Sequence, residues 1–168
     1  MTQLLYIVGA ITLLGLLLVP ARKMALNRQQ ILMATEATTT ATAIGQELLE
    51  EVIVRKFDEN KCGRTDTAKN VSEFSTTLGP DAGESTINQY DDLDDFNGYV
   101  TTTVTPRLGN FTDSVKVYYV AEASPDAKAG SNQWLKRIDV KVKNPWVLTK
   151  DSSVTVSKIV SYRYRGGS

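Results

Sequence analysis

The side chains best suited to chemistry lie in an acidic stretch near the middle of the chain. Four aspartates and one asparagine fall close together there: Asp91, Asp92, Asp94, Asp95 and Asn97. Carboxylate and amide oxygens of this kind are ligands for Ca²⁺, although the spacing is not that of an EF-hand loop. Neighbouring carboxylates also serve in general acid–base catalysis. Asx hydrogen bonds that shape a turn before Tyr99 explain the same composition without any ligand, and this is the interpretation we favour.

The composition excludes several classes of active site. The chain has no histidine, which excludes Ser-His-Asp and Cys-His catalysis and removes the commonest transition-metal ligand. Its one cysteine, Cys62, cannot form an intrachain disulfide, so it is either a free thiol or a link to a second chain. Lys+Arg and Asp+Glu are both 19, and no nucleic-acid-binding motif is present. We therefore expect no catalytic residues, no required cofactor and no nucleic-acid partner, with Ca²⁺ as the one alternative.

Two asparagines lie in N-glycosylation acceptor patterns. Asn70 begins Asn-Val-Ser and Asn110 begins Asn-Phe-Thr. Threonine runs at 38–40 and 101–103 could carry O-linked sugars. Each of these positions is equally compatible with an unmodified polar surface.

The neutral total hides an uneven distribution of charge. Residues 61–100 contain three basic and eight acidic side chains, whereas residues 101–168 contain eleven basic and five acidic ones. Complementary faces of this kind could meet between subunits and set their register. The alternative is ordinary surface charge, for which an exposed ion pair contributes about 0–1 kcal/mol.

The first segment of the chain is the strongest signal in the sequence. Residues 1–21 carry no charge, and only Thr12 is polar between Leu4 and Val19. Burying its aliphatic side chains is worth on the order of 20 kcal/mol. We expect them to pack in lipid or against other copies. The predicted self-assembly residues are Leu4, Leu5, Ile7, Val8, Ile11, Leu13, Leu14, Leu16, Leu17, Leu18, Val19 and Pro20.

Three explanations fit this segment. A secretory signal peptide would have a basic start and a small-residue cleavage site, and neither is evident. A membrane anchor would need about 20 apolar residues, which this segment approaches. A helix that leaves a membrane and packs into the centre of a polymer has the same requirement for apolar burial. We name residues 1–24 the stalk.

A long helix is predicted to continue from the stalk to residue 57. The Thr-rich run 34–43 is either part of that helix or a linker, and the absence of Gly and Pro favours helix. At 1.5 Å per residue the helix would be about 84 Å long. Spacings of three and four residues predict one apolar face that packs on a sheet. That face comprises Ala41, Ile44, Leu48, Leu49, Val52, Ile53 and Phe57.

The sequence of the remaining residues predicts a connecting region followed by a β head. Residues 58–98 are rich in turn formers, and strands are expected at 99–105, 115–122, 133–142 and 154–165. Alternating patterns separated by turns are typical of an antiparallel meander with one solvated face. The predicted fold is α+β: a long N-terminal helix (1–57) packed on a four-stranded antiparallel sheet. We name residues 99–168 the head.

In this arrangement the sequence resembles the type IV pilin and type II secretion pseudopilin family. Within that family it is most similar to minor pilins of the mannose-sensitive haemagglutinin kind. The stretches that carry the resemblance are the stalk with Pro20, the helix 43–51, the acidic loop 91–99, and the strands at 135–142 and 154–163.

The resemblance implies a pilin-like fold and a structural role in an extracellular filament built from many copies. It also implies a stage in the cytoplasmic membrane, contact with a pilus or secretion assembly machinery, and N-terminal processing with methylation. One position departs from the family. The family has a glutamate at the fifth mature position that neutralises the next subunit's amino terminus, and Leu5 stands there in this chain. A membrane-anchored extracytoplasmic binding module that does not polymerise is the alternative.

Overall fold

A single long helix leads into the folded part of the molecule. The computed structural model describes residues 2–58 and 68–162. Helix α1 runs from Thr2 to Ile53 and continues through Pro20 and through the run 34–43. The helical alternative for that run is therefore correct, and the linker alternative is wrong.

Threonine hydroxyls explain how the run 34–43 stays helical. Four of them donate to the backbone carbonyl four residues earlier, at distances of 2.8 to 3.0 Å. This bond satisfies the hydroxyl within the helix, where it would otherwise compete with the backbone. The threonines concerned are Thr35, Thr38, Thr39 and Thr42.

The helix ends earlier than the sequence predicts. It stops at Ile53, whereas the prediction extended it to residue 57. Lys56 forms an isolated parallel bridge with Asp92: its backbone N–H donates to the Asp91 carbonyl at 3.3 Å, and its carbonyl accepts from Leu93 N–H at 2.9 Å. Pairing with the acidic loop therefore replaces the last helical turn.

The head contains one antiparallel sheet. Its strands are β1 (Val100–Thr105), β2 (Gly109–Ala121), β3 (Ser124–Lys128), β4 (Leu135–Lys143) and β5 (Ser153–Ser161). The order is β1-β2-β4-β5, and β3 pairs with the far end of β2. A short 3₁₀ helix, Val71–Glu73, lies in the connecting region. The fold is thus α+β with an N-terminal helix and an antiparallel sheet.

Within residues 68–162 the sheet has five strands, whereas the sequence predicts four. The missed strand is β3, which contains Pro125 and Asp126, two residue types that are depleted in strands. It pairs with β2 through only two positions, with an irregularity between them. Local propensity therefore gave no indication of it. The predicted end of the last strand, at 163–165, lies outside the described residues.

The second half of α1 packs across β4 and β5. Burial on the helix begins at Ala34 and continues through Ala37 and Ala41. At Gly45 the backbone comes so close to the sheet that an added Cβ would lie 3.1 Å from a methyl carbon of Val156. Small residues thus let the helix approach the strands closely.

The predicted packing face lies on this core. Ala41, Leu48, Leu49, Val52 and Phe57 are buried, and Ile44 and Ile53 are partly buried against the same cluster. From the connecting region Phe74, Leu93 and Phe96 join them. The connecting region is therefore packed into the head.

The buried carboxyl group of Asp113 on β2 allows the cost of burying a charge in the head to be measured. Asp113 is 1% exposed, and one of its oxygens accepts from the Thr103 hydroxyl at 2.8 Å. Its other oxygen has no hydrogen-bond partner among the described residues. Burial raises the pKa of Asp113, so the native state holds its proton to a higher pH than the unfolded state does.

We predict that Asp113→Asn stabilises the head increasingly as the pH rises. Because folding raises the pKa of Asp113, this carboxyl contributes stability that is fully present at low pH and is lost as the carboxyl ionises. The variant should therefore match the wild type near about pH 4 and exceed it by about 1 kcal/mol or more near about pH 8. Urea denaturation of the full chain in mild detergent, followed by tryptophan fluorescence, measures the free energy of unfolding of the wild type and of the variant at each pH. Exposed Asp151→Asn is the control, and an equal pH-dependent gain there would contradict the prediction.

Candidate functional site

The described side chains in the first half of α1 are exposed to solvent. Large apolar side chains in this part are between 48% and 75% exposed over residues 4–18, and others continue to Leu32. They occur at consecutive positions, so they point to several sides of the helix. The exposed members of the predicted self-assembly set are Leu4, Ile7, Val8, Ile11, Leu13, Leu14, Leu16, Leu18 and Pro20.

Three predicted positions in this segment cannot be placed. The side chains of Leu5, Leu17 and Val19 lie outside those that the structure describes. Across residues 2–58 and 68–162, no helix combines the length and the apolar character that crossing a membrane requires.

The acidic loop is organised by hydrogen bonds within itself. One oxygen of Asp92 accepts from the backbone N–H of Asp94 at 2.8 Å and of Asp95 at 3.3 Å. One oxygen of Asp95 accepts from the backbone N–H of Asp91 at 2.9 Å and of Asp92 at 3.1 Å. These are the bonds that the turn interpretation predicts.

The five residues predicted to bind calcium do not converge on one point. Asp94 contacts a buried lysine, and the Asn97 side-chain oxygen accepts from the backbone N–H of Val117 at 3.1 Å. Only Asp91 and Asp95 share a group of carboxylate oxygens, together with Glu84, and those oxygens lie within 4.8 Å of one another. A group of carboxylates does not by itself define a cation site, so calcium stays a prediction.

The most unusual chemistry lies beneath this loop, around Lys136. The side chain is completely buried. Its ammonium lies 2.6 Å from Oδ1 of Asp94, 2.6 Å from the carbonyl oxygen of Phe57 and 3.5 Å from Oδ2 of Asp58. The rings of Phe57 and Tyr119 lie 4.7 and 5.2 Å from the nitrogen. We name Lys136, Asp58, Asp92 and Asp94 the lysine network.

Alternation along β4 explains why a lysine is buried here. Ile138, Val140 and Val142 face the core, and Lys136 is the next residue on that face toward the start of the strand. The backbone therefore directs its amine inward, where it meets the end of the helix and the acidic loop.

Asp58 extends the lysine network into the connecting region. Its Oδ2 accepts from Ser75 N–H at 2.8 Å, and the Tyr119 hydroxyl donates to the Ser75 carbonyl at 2.9 Å. The chain just after the helix is thus fixed to β2 and to the segment around residue 75.

The electrostatics of the lysine network are set by burial. Burial raises the pKa of Asp92 to about 8, and the nearby charge of Asp94 adds to the effect. Burial also raises the pKa of Asp94, while the charge of Lys136 acts in the opposite direction. At neutral pH Asp92 therefore holds a proton, and Asp94 and Asp58 face the ammonium.

Sequence reasoning missed Lys136 and Asp58. The alternation of 138, 140 and 142 does extend to 136, so the strand pattern contained the signal that this lysine points inward. Nothing local marks Asp58, which lies after the end of the helix and is buried.

Both predicted glycosylation asparagines are exposed. Asn70 precedes the 3₁₀ helix, and Asn110 lies near the start of β2. Cys62 lies outside the described residues.

Comparison of the chain with family models, with curated proteins and with solved structures gives no match. The resemblance described above therefore rests on the residues that carry it.

We predict that Lys136→Met destabilises the head by about 3–5 kcal/mol, because it removes the cation that pairs with the buried Asp94 carboxylate. The matched control is Lys56→Met. Lys56 pairs with Asp91 while both side chains are nearly half exposed, so its loss should cost about 0–1 kcal/mol. Urea denaturation followed by tryptophan fluorescence compares the two. Equal losses from both substitutions would contradict this account of the lysine network.

Proposed function

We propose that this chain is a structural subunit of an extracellular filament, in which the first half of α1 packs against the same segment of other copies. The observation that carries the proposal is the set of exposed apolar side chains along residues 4–18. Patches of this size mark interaction surfaces. The packing on the sheet begins only at Ala34, so nothing in the described head covers these side chains.

The length of the helix supports this proposal. Its 52 residues give about 78 Å at 1.5 Å per residue. Each aliphatic side chain moved out of water contributes about 1.5–3 kcal/mol, so burial of the stalk favours association strongly. A helix that is apolar on several sides is stabilised when apolar groups surround it.

Features of the stalk favour close contact between identical helices. Gly9 and Gly15 have open space beside them, and small residues let helices approach closely. Charges begin only at Arg22 and Lys23, on the side of the stalk that leads to the head. Head-to-tail packing of such helices gives an open helical assembly with the heads outside.

The family resemblance supplies the finer parts of the proposal. They are a type IV pilus-like filament, a membrane stage before assembly, and contact with the assembly machinery.

We predict that Val8→Asp abolishes filaments and leaves the head folded. Burying an unpaired carboxylate in every subunit costs several kcal/mol, so polymer in sheared cell-surface material should fall at least about tenfold. The matched control is Val104→Asp. Val104 is 72% exposed on β1, compared with 57% for Val8, so the same substitution there should leave filaments intact.

Cell fractionation and mass spectrometry separate the outcomes of this test. Wild-type chain in sheared polymer, with its stalk intact, supports the filament. Normal filaments from Val8→Asp would contradict it. Wild-type chain found only with membranes would indicate the anchored binding module, and chain lacking the stalk would indicate a secreted domain.

A further inference from the structure

Lys136 and Asp94 are placed as reactants as well as ion-pair partners. The lysine nitrogen lies 2.6 Å from Oδ1 of Asp94. Because a carboxyl C–O bond is about 1.2 Å long, the Asp94 carbon lies within about 4 Å of that nitrogen. Fixed proximity of this kind makes a reaction between two groups effectively unimolecular.

The surroundings of this pair exclude water. Lys136 is 0% exposed, Asp94 is 4% exposed, and Asp92 beside them is 2% exposed. The rings of Phe57 and Tyr119 lie next to the amine. In such an environment a charged pair is costly, and transfer of one proton converts it to a neutral amine and a neutral carboxylic acid. Exclusion of water also favours condensation over hydrolysis.

We propose that Lys136 and Asp94 condense spontaneously in the folded protein to form an intramolecular amide bond between the lysine nitrogen and the aspartate carboxyl carbon. The bond joins β4 to the acidic loop at the end of the connecting region. It replaces the ion pair at the centre of the lysine network with a covalent cross-link.

The atoms and charges of this step balance without any other reactant. The ammonium gives one proton to the Asp94 carboxylate, and the free amine attacks the carboxyl carbon. The nitrogen then loses a second proton, the carboxyl C–O bond breaks, and the hydroxyl leaves as water. Asp92, whose Oδ1 accepts from the backbone N–H of Asp94 at 2.8 Å, donates a proton to the leaving oxygen and receives the one from nitrogen. It ends the reaction unchanged.

The first test is mass spectrometry of the full wild-type chain. We expect its intact mass to be one water lighter than that of an unlinked chain. The reference is Lys136→Arg with the same N-terminal processing, after correction for the difference in mass between lysine and arginine. After digestion, a branched peptide should join the segments that contain residues 94 and 136, and cleavage after Lys136 should be absent. Lys56 and Asp91, an exposed pair in the same protein, should give no branched peptide.

An unmodified intact mass, with a linear peptide that ends at Lys136, would overturn the proposal. Loss of water at any other position would overturn it equally. Both readouts are taken on the wild-type chain, and the Lys136→Arg reference supplies only a mass, so neither depends on whether a variant folds.

The second test examines the proton-transfer residue. Asp92→Asn keeps the shape of the side chain and the acceptor for the loop N–H groups but cannot exchange protons. We expect the branched product to form at least about a hundredfold more slowly in this variant. Tryptophan fluorescence checks that its head is folded. An unchanged rate in a folded variant would remove Asp92 from the mechanism.

Discussion

The sheet is shorter than the helix that packs on it. Helix α1 extends for about 78 Å, while burial on its surface begins only at Ala34. The second half is held by alanines and by Gly45, which bring its backbone close to β4 and β5. The first half carries its large apolar side chains into solvent. The second half of α1 therefore packs on the head, whereas the first half is left uncovered. The filament proposal rests on that uncovered half.

At the C-terminal end of α1, the lysine network fixes the chain that follows the helix to the head. Lys136, which lies on β4, contacts the residues that follow α1 and the acidic loop. These three segments are far apart in sequence. A buried ammonium is costly unless its partners are fixed. Here Phe57, Asp58 and Asp94 are fixed because the helix stops at Ile53 and the chain pairs with the loop at Asp92.

The sequence predicted the elements better than their chemistry. Periodicity over residues 41–57 predicted the part of α1 that packs on the sheet, because burial at every third or fourth position is a local pattern. Alternation located β1, β2, β4 and β5, but β3 is a short edge strand containing Pro125 and forms through pairing with β2 alone. The acidic loop was recognised by composition. Its partner Lys136 was not, because the contact between them joins residues 42 positions apart.

Electron cryomicroscopy of filaments sheared from the cell surface tests the central claim most directly. The account predicts that this chain forms the filament, with residues 2–24 packed around its axis against neighbouring copies and the heads on the outside. Filaments in which the side chains of residues 4–18 face solvent would contradict it, as would surface filaments that do not contain this chain.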